Sequence, residues 1–210
     1  MDTDIVQAVA HYSEEIMGAE GFRYVSAVVA NCKMLAVELE AREEERASSI
    51  DQEALIIAAY LHDISTVAHG FHDHHVRSAE MAADFLRKQK VPEERIHKVQ
   101  QALLGHVLLD PAQRASVSLE GQILFDADQL GRLSGVIVIT SLIELGSRYP
   151  NRAPTSDVLA SILRHIEERF IELYQSLYTE PARELARDKF NRTIAFLDGV
   201  IEHLSDATPV

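Results

Sequence analysis

The feature that most constrains this chain is the spacing of its apolar residues, which recur at intervals of three and four along almost all 210 positions. One such stripe consists of Phe22, Val25, Val29, Cys32 and Leu39. This spacing places apolar side chains on one face of an amphipathic helix, whereas a half-buried strand would alternate them with polar residues. We therefore predict an all-α fold with about eight helices.

Local signals mark where individual helices begin. Ser49-Ile50-Asp51-Gln52 resembles a capping box, and Pro92 precedes two glutamates that suit the first turn of a helix. Thr179-Glu180-Pro181 marks another start. The β-branched run 136–140 is ambiguous, but a strand needs a partner and the sequence has no second strand-like run. We expect this run to be a buried helix.

Few breaks divide the chain. The helix-breaking residues Gly70, Pro111 and Pro150 fall between the apolar stripes, and the sequence has no long linker rich in glycine, serine or proline. A chain of this length suits one domain of typical size. We predict a single compact helical domain over 1–210, with its core motifs in 20–145 and C-terminal helices in 155–205 packed on the same domain.

The charge balance limits the choice of partners. There are 33 acidic against 20 basic residues, so the formal net charge is −13 at pH 7. Binding to nucleic-acid duplexes or to anionic membranes depends on an excess of cations, so we expect neither. The single cysteine, Cys32, cannot form an internal disulfide, and its apolar neighbours indicate a small buried side chain. Since no basic and apolar leader opens the sequence, we expect a cytoplasmic protein.

Five of the ten histidines lie close together, in the window 62–75. They are His62, His74, His69, His72 and His75. For the last three, a solvated loop between two helices is the simplest interpretation. His62 and Asp63 differ, because they directly follow the apolar stretch 54–61 and fall where burial is expected. An unpartnered buried carboxylate is costly, and a metal ion would supply the missing partner.

Two further segments place polar residues in apolar surroundings. Asp126 and Asp128 interrupt the apolar stretch 123–130, and we expect one of them to face inward, although a solvent-facing acid pair would fit the same pattern. His106 follows a pair of leucines and a glycine. A single histidine on such a background is more often a core residue with a satisfied hydrogen bond than a ligand.

Taken together, these segments resemble the HD-domain superfamily of metal-dependent phosphohydrolases, whose site is assembled from histidines and aspartates on separate helices. The matching segments are 55–64, 73–82, 103–106, 119–130 and 177–186. The last of them is similar to a helix of the bacterial branch that includes nucleotide pyrophosphatases. The resemblance covers about residues 15 to 205 and implies a single HD-type helical bundle.

The chain departs from the family in its first motif. Where the family has its first metal-binding histidine and a following arginine, this sequence has Tyr24 and Ala27. A neutral phenol is a poor ligand, because its pKa of about 10 keeps it protonated. The metal ligands implied by the resemblance are therefore His62, Asp63 and Asp128.

This reduced set determines which ions we expect. One imidazole and two carboxylates favour Mg²⁺ or Mn²⁺ over zinc, with Fe, Co and Ni acceptable. His11 is a conceivable replacement for the missing histidine, or the apolar helix around it buries it for structural reasons.

The resemblance implies hydrolysis of a small phosphorylated molecule, with a nucleotide favoured, through attack of a metal-activated water on phosphorus. Asp63 would orient that water. His74 and His106 would neutralise phosphate charge, bind a second ion or protonate the leaving oxygen. Arg77, one helical turn after His74, would clamp a phosphate or form a surface ion pair. Glu120 would be a general base or an acid at the start of a helix.

Two other functions fit the sequence. The replacements at Tyr24 and Ala27 suit a catalytically degenerate HD domain that binds a nucleotide or a partner protein without hydrolysis. An interaction protein would expose an apolar helix face, and the stripe 159–177 could form a homodimer surface as readily as a core face. The retained histidines and aspartates favour the enzyme, because buried polar residues cost stability unless they are paired or ligated. The sequence has no P-loop, dinucleotide fingerprint or serine-hydrolase elbow.

Overall fold

Every regular element is a helix in residues 3–42, 48–133, 135–148 and 155–206, which the computed structural model describes. The helices are α1 (Thr3–Arg42), α2 (Gln52–Leu61), α3 (Thr66–His69), α4 (His74–Lys88), α5 (Glu93–Gly105), α6 (Pro111–Arg114), α7 (Leu119–Arg132), α8 (Gly135–Arg148), α9 (Ser156–Gln175) and α10 (Glu180–Asp206). Since α3 and α6 are single turns, eight longer helices remain in these ranges when α1 is counted once, and the all-α prediction is confirmed. The ambiguous run 136–140 lies within α8. Pro150 lies outside the described residues.

The chain divides into two compact units, Met1–Asp128 and Gln129–Val210. The first unit contains α1 to α6, most of α7 and all the residues predicted to form the site. The second contains α8, α9 and α10. The sequence predicted that the C-terminal helices pack on the domain that carries the motifs, and this stays a prediction.

The central helix of the first unit is α2, which packs against α1, α4 and α5. Its buried residues are Ala54, Leu55, Ile57, Ala58, Ala59 and Leu61. A helix that lies among three others has almost no solvated face, which explains why its sequence lacks a polar stripe. The chain leaves this core directly into His62 and Asp63, so both side chains are buried at the C-terminal end of α2.

Two carboxylates fix the start of α2. The Asp51 side chain accepts a hydrogen bond from the backbone N–H of Ala54 at 3.0 Å, so Asp51 is the N-cap. Glu120 accepts a hydrogen bond from the backbone N–H of Asp51 at 2.8 Å. The predicted capping box at Ser49 therefore starts two residues too early, because it is the Asp51 carboxylate that satisfies a free N–H group of the helix. The contact gives Glu120 a structural role at the start of α7.

A bend at Gly18 divides α1 into two helices. The φ of 68° and ψ of 175° at this residue lie outside the helical region, in a conformation that glycine adopts more easily than other residues. In the second half of α1, the side-chain amide of Asn31 donates a hydrogen bond to the carbonyl of Ala127 at 3.0 Å. This bond fastens α1 to α7 and brings Tyr24 next to Asp128.

The end of α5 and the start of α7 approach so closely that glycine is needed at the contact. A Cβ atom on Gly105 would lie 2.6 Å from Val117 Cγ1 and 3.6 Å from Gly121 Cα. A Cβ atom on Gly121 would lie 2.9 Å from the same valine methyl group. Because His106 directly follows Gly105, this contact helps to set the position of the His106 ring.

We predict that Gly105→Ala lowers the free energy of unfolding by about 1–3 kcal/mol, the usual cost of overpacking a tight contact. Val117→Ala removes the clashing methyl groups, so the double variant is expected to recover this stability, since alanine favours a helix more than glycine does. Urea denaturation of the wild type, both single variants and the double variant provides the measurement. A Gly105→Ala protein that is as stable as the wild type would contradict the close contact.

In the second unit, α9 and α10 pack against each other. Its core contains Val138, Leu163, Leu197 and Ile201. Leu159, Leu163 and Ile166 lie in or against this core, and Phe170 and Leu177 are also buried, so the stripe 159–177 forms a core face of this unit. The backbone N–H of Ala182 donates to Thr179 Oγ1 at 3.4 Å, and the predicted helix start at Thr179-Glu180-Pro181 is confirmed.

Among the described residues, no single helix is both long enough and apolar enough to cross a membrane. One bent pair, Gln52–His69 with His74–Lys88 at 112°, meets the requirements of length and composition only when its two parts are taken together.

Candidate metal centre

The candidate site begins where α2 ends. His62 is completely buried and Asp63 is 4% exposed. The Nδ1 atom of His62 lies 2.8 Å from the backbone oxygen of Ala59, so Nδ1 carries a hydrogen and donates it to that carbonyl. This bond turns Nε2 toward the carboxylates, at 3.4 Å from Asp63 Oδ2 and 3.8 Å from Asp128 Oδ1.

His74 and His106 are oriented in the same way as His62. His74 is the first residue of α4, and its Nδ1 lies 2.8 Å from the carbonyl of Phe71. His106 directly follows α5, and its Nδ1 lies 2.5 Å from the carbonyl of Leu103. A carbonyl that accepts from Nδ1 leaves the Nε2 lone pair available, which is the usual arrangement of histidines that bind metals.

Three side chains converge closely enough to share one ion. A carboxylate oxygen of Asp63 and one ring nitrogen each of His74 and His106 all lie within 4.8 Å of one another. Asp63 Oδ1 is 3.5 Å from His74 Nε2, and the rings of His74 and His106 meet edge to face at 5.2 Å. Two imidazoles and one carboxylate form a set of ligands that divalent transition metals bind.

The protonation states also suit a metal. Burial lowers the pKa of His106 to about 3, and the neighbouring His62 acts in the same direction, so His106 is neutral at pH 7. Burial acts to raise the pKa of Asp63, but His62, His106 and His74 outweigh it and hold that pKa well below its usual range. A neutral imidazole and an ionised carboxylate are the forms that coordinate metal ions.

His62 differs from these two groups. Burial acts to lower its pKa, but the carboxylates of Asp63 and Asp128 outweigh that effect and raise the pKa to about 9. Without a metal ion, His62 is therefore a buried cation at neutral pH. Its position at the C-terminal end of α2 also favours the cation, since the helix dipole is negative there.

Within the candidate site, three buried polar atoms make no hydrogen bond with the residues that the structure describes. They are His62 Nε2, Asp63 Oδ1 and His106 Nε2. Native proteins rarely leave buried donors and acceptors unsatisfied, and each such atom costs about 1–3 kcal/mol. Because all three atoms belong to residues of the predicted site, the arrangement fits a divalent cation.

The structure brings five of the six predicted site residues together: His62, Asp63, His74, His106 and Asp128. The resemblance assigned the metal to His62, Asp63 and Asp128 and gave His74 and His106 catalytic roles. The set within reach of one ion contains Asp63 with His74 and His106 instead. Which of these residues bind metal and which act in catalysis stays a prediction.

Two contacts at the site were not foreseen from the sequence. The hydroxyl of Tyr24 donates a hydrogen bond to Asp128 Oδ1, whereas the sequence indicated only that Tyr24 is a poor ligand. A buried pair of serines connects α4 to the end of α2, because Ser65 Oγ donates to the carbonyl of His74 at 3.0 Å and Ser78 Oγ donates to Ser65 Oγ at 3.0 Å. In a single sequence, neither serine carries a signal of such a role.

Two expectations about polar residues are corrected. His11 is 72% exposed and pairs with Glu15 at 3.3 Å, so it is neither a buried residue nor a member of the cluster. The sequence predicted that one of Asp126 and Asp128 faces inward, but both are buried, because α7 is buried on all sides over 123–130.

Most of the remaining candidates have the burial that the sequence predicted. His69 and His72 are exposed, as a solvated loop predicts, and His75 is half-buried. Cys32 is fully buried, and burial raises the pKa of its thiol, which confirms its interpretation as a small core residue. Arg77 is exposed on α4 and forms no ion pair with the described residues, so the surface-pair alternative does not hold for it there.

Similarity to known proteins extends over most of the chain. The fold is similar to that of the Lin1889 protein from Listeria innocua, with a TM-score of 0.69, 16% sequence identity and 99% of each chain covered. It is also similar to Bacillus subtilis YpgQ in complex with ADP, with a TM-score of 0.65, 16% identity and 96% of each chain covered. At this identity, both crystal structures support the fold alone.

No curated protein sequence matches this chain significantly. The sequence model of the HD domain matches residues 8–133, which is more than half of the chain. The protein therefore belongs to the HD domain family, whose members are generally metal-dependent phosphohydrolases.

Proposed function

We propose that this protein is a metal-dependent phosphohydrolase that acts on a small phosphorylated molecule, with nucleotides as the favoured class. The observation that carries the proposal is the convergence of Asp63, His74 and His106 within 4.8 Å, with buried ligand atoms that make no hydrogen bond with the described residues. A structural cluster of the same residues would be expected to satisfy those atoms internally. A site built for an ion leaves them available.

Asp63, His74 and His106 would hold the ion. Two imidazoles and one carboxylate make a softer set of ligands than the set predicted from the sequence, which shifts the preference from Mg²⁺ toward Mn²⁺, Fe²⁺, Co²⁺ and Ni²⁺. When bound, such an ion supplies a Lewis acid that neutralises phosphate charge and lowers the pKa of water.

The other residues of the site contribute charge and position. His62 Nε2 lies 3.4 Å from Asp63 Oδ2, and its charge keeps that carboxylate ionised. The hydrogen bonds from Nδ1 of His74 and of His106 to backbone carbonyls hold these rings in one orientation. The exposed guanidinium of Arg77, one turn after His74, is available to bind a phosphate group.

Two observations favour a nucleotide. The similar structure of YpgQ contains ADP. In this chain, the ring of Phe71 is 67% exposed and lies 5.9 Å from the His74 ring, which places an aromatic surface beside the proposed site. A nucleotide base could stack on this ring while its phosphates approach the ion.

We predict that removal of the metal abolishes activity. Protein stripped with a chelator is expected to release no phosphate or pyrophosphate from ADP, ATP or dATP, and Mn²⁺ is expected to restore release. The measurement is product formation across these nucleotides and a non-nucleotide phosphomonoester, before and after reconstitution. Phe71→Ala is expected to raise KM for the nucleotides about 10-fold and to leave the phosphomonoester unaffected, since stacking contributes about 1–3 kcal/mol.

Two outcomes would count against this function. Hydrolysis that is equally fast in the stripped protein would exclude a role for the metal. ADP binding without turnover, with every divalent ion named above, would instead support a nucleotide-binding HD domain without catalysis. The hydrogen bond between Tyr24 and Asp128 is the observation that favours this second candidate, because it engages a residue of the ligand set implied by the resemblance.

A further inference from the structure

We infer that Tyr24 determines which of two overlapping clusters binds the metal ion, by engaging Asp128 and confining the ion to Asp63, His74 and His106. This inference rests on the metal dependence of the proposed function. The departure from the family motif does not say what the phenol of Tyr24 does in the site. The inference assigns a role to it.

The two clusters share Asp63, and its two oxygens face different partners. Asp63 Oδ2 lies 3.4 Å from His62 Nε2, which in turn is 3.8 Å from Asp128 Oδ1. Asp63 Oδ1 lies 3.5 Å from His74 Nε2, with His106 within reach of the same ion. We call the first group the His62 cluster (His62, Asp63, Asp128) and the second the His106 cluster (Asp63, His74, His106).

Tyr24 contacts two members of the His62 cluster. Its hydroxyl donates a hydrogen bond to Asp128 Oδ1, the same oxygen that faces His62 Nε2. An ion in the His62 cluster would have to displace this hydrogen, and the neutral phenol offers little in return as a ligand. The Tyr24 ring also lies beside His62, with ring centroids 6.2 Å apart, so it covers this side of the cluster. Among the described contacts, Tyr24 donates no hydrogen bond to His74 or His106.

The site can accommodate replacements of Tyr24. Its side chain is 37% exposed, so a smaller ring leaves a space that water can fill rather than a buried cavity. Tyr24→Phe removes only the hydroxyl and with it the hydrogen bond to Asp128 Oδ1. Tyr24→His removes the hydroxyl and adds an imidazole, which provides the His62 cluster with a fourth ligand.

The test is a calorimetric titration of metal-free protein with Mn²⁺ alone. The wild type is expected to bind one ion per chain and Tyr24→His two ions, with Tyr24→Phe binding a weaker second ion. In the wild type, His106→Gln is expected to weaken binding at least about 100-fold, because it removes a ligand, whereas Asp128→Asn changes the affinity less than about threefold. His97→Gln is the matched control, since His97 is exposed on the same helix as Leu103.

Electron paramagnetic resonance provides a second readout that a purely structural role of Tyr24 would not change. Two Mn²⁺ ions that share Asp63 lie about 3.5–4 Å apart and couple magnetically, whereas one ion gives an isolated six-line spectrum. We expect the coupled spectrum in Tyr24→His and its loss in the double variant with Asp128→Asn.

Three results would overturn the inference. The first is a wild-type ion that is lost in Asp128→Asn and retained in His106→Gln, which would place it in the His62 cluster. The second is a single ion in folded Tyr24→His and Tyr24→Phe, which would mean that Tyr24 excludes nothing. In both cases Mn²⁺-dependent phosphate release could persist, so the proposed function would survive. The third is no Mn²⁺ binding by the wild type, which would overturn the proposed function as well.

Discussion

Asp63→Asn is expected to abolish Mn²⁺ binding and to lower kcat/KM for phosphate release at least about 1000-fold, which corresponds to about 4 kcal/mol of transition-state stabilisation. Among the described residues of the site, Asp63 alone belongs to both the His62 cluster and the His106 cluster. In the proposed site its carboxylate is the anionic ligand of the His106 cluster, and the neutral amide of asparagine replaces that charge with a weak oxygen donor.

The measurement combines calorimetry with Mn²⁺ and initial rates on the best nucleotide substrate. Asp188→Asn is the matched control, because Asp188 is an exposed aspartate on α10. Circular dichroism and a thermal melt establish that the Asp63→Asn protein is folded. A folded variant that keeps more than about a tenth of the wild-type kcat/KM would exclude Asp63 as a metal ligand in the reaction.

The second large effect is on stability as a function of pH. In the metal-free protein, the free energy of unfolding is expected to be highest near pH 6.5 and to fall on both sides. The opposite pKa shifts of His62 and His106, which lie 5.4 Å apart by ring centroids, cause this shape. Each shift makes the folded and unfolded states bind different numbers of protons, and this difference sets the slope of stability with pH.

His62 gives the alkaline limb. Its pKa in the folded state, about 9, is higher than the ordinary value of 6.5, so its contribution is fully present below pH 6.5 and is lost as the pH rises through 9. The shift corresponds to about 3 kcal/mol. His62→Gln is therefore expected to flatten this limb, and His203→Gln, an exposed control on α10, is expected to leave it unchanged.

His106 and Asp63 give the acid limb. The pKa of His106 is about 3 in the folded state, so between pH 6.5 and pH 3 the unfolded chain binds the additional proton and stability falls as the pH falls. The lowered pKa of Asp63 adds a loss at the acid end, because its carboxylate must be protonated there. Urea denaturation of metal-free protein from pH 4 to pH 9.5 provides the data, and a His62→Gln profile parallel to the wild type would contradict the assignment.

Much of the fold could be predicted because helical periodicity is a local property. The stripes identified the long helices, and Thr179 marked the start of α10. The run 136–140 lies in a helix as expected, but Ile139 and Thr140 in it are exposed rather than buried. Helix boundaries were predicted less accurately, because several nearby side chains can satisfy the free N–H groups at the start of a helix. The start of α2 depends on the Asp51 carboxylate and on Glu120, and the contact with Glu120 joins residues far apart in the sequence.

The site was predictable as a list of residues and not as an arrangement. The resemblance to the HD family implied that His62, Asp63, His74, His106 and Asp128 belong to one site, and polar residues in apolar stretches, which need partners, agreed with it. It could not indicate that Asp126 is buried as well as Asp128, since the burial of α7 on every side depends on its neighbours in the fold. Nor could it indicate that His74 Nε2 approaches Asp63 Oδ1, on a different helix end, at 3.5 Å.

The sequence by itself determined the helical class and the HD-domain membership, since both depend on residue types and spacing along the chain. That Tyr24 stands where the family has its first histidine stays a prediction. The tertiary structure alone decided which oxygen of Asp63 faces which imidazole and that Tyr24 donates to Asp128. Those contacts join residues up to 104 positions apart. Their geometry depends on how the helices pack, and ångström-scale distances between side chains on different helices are not encoded in any local pattern of a single sequence.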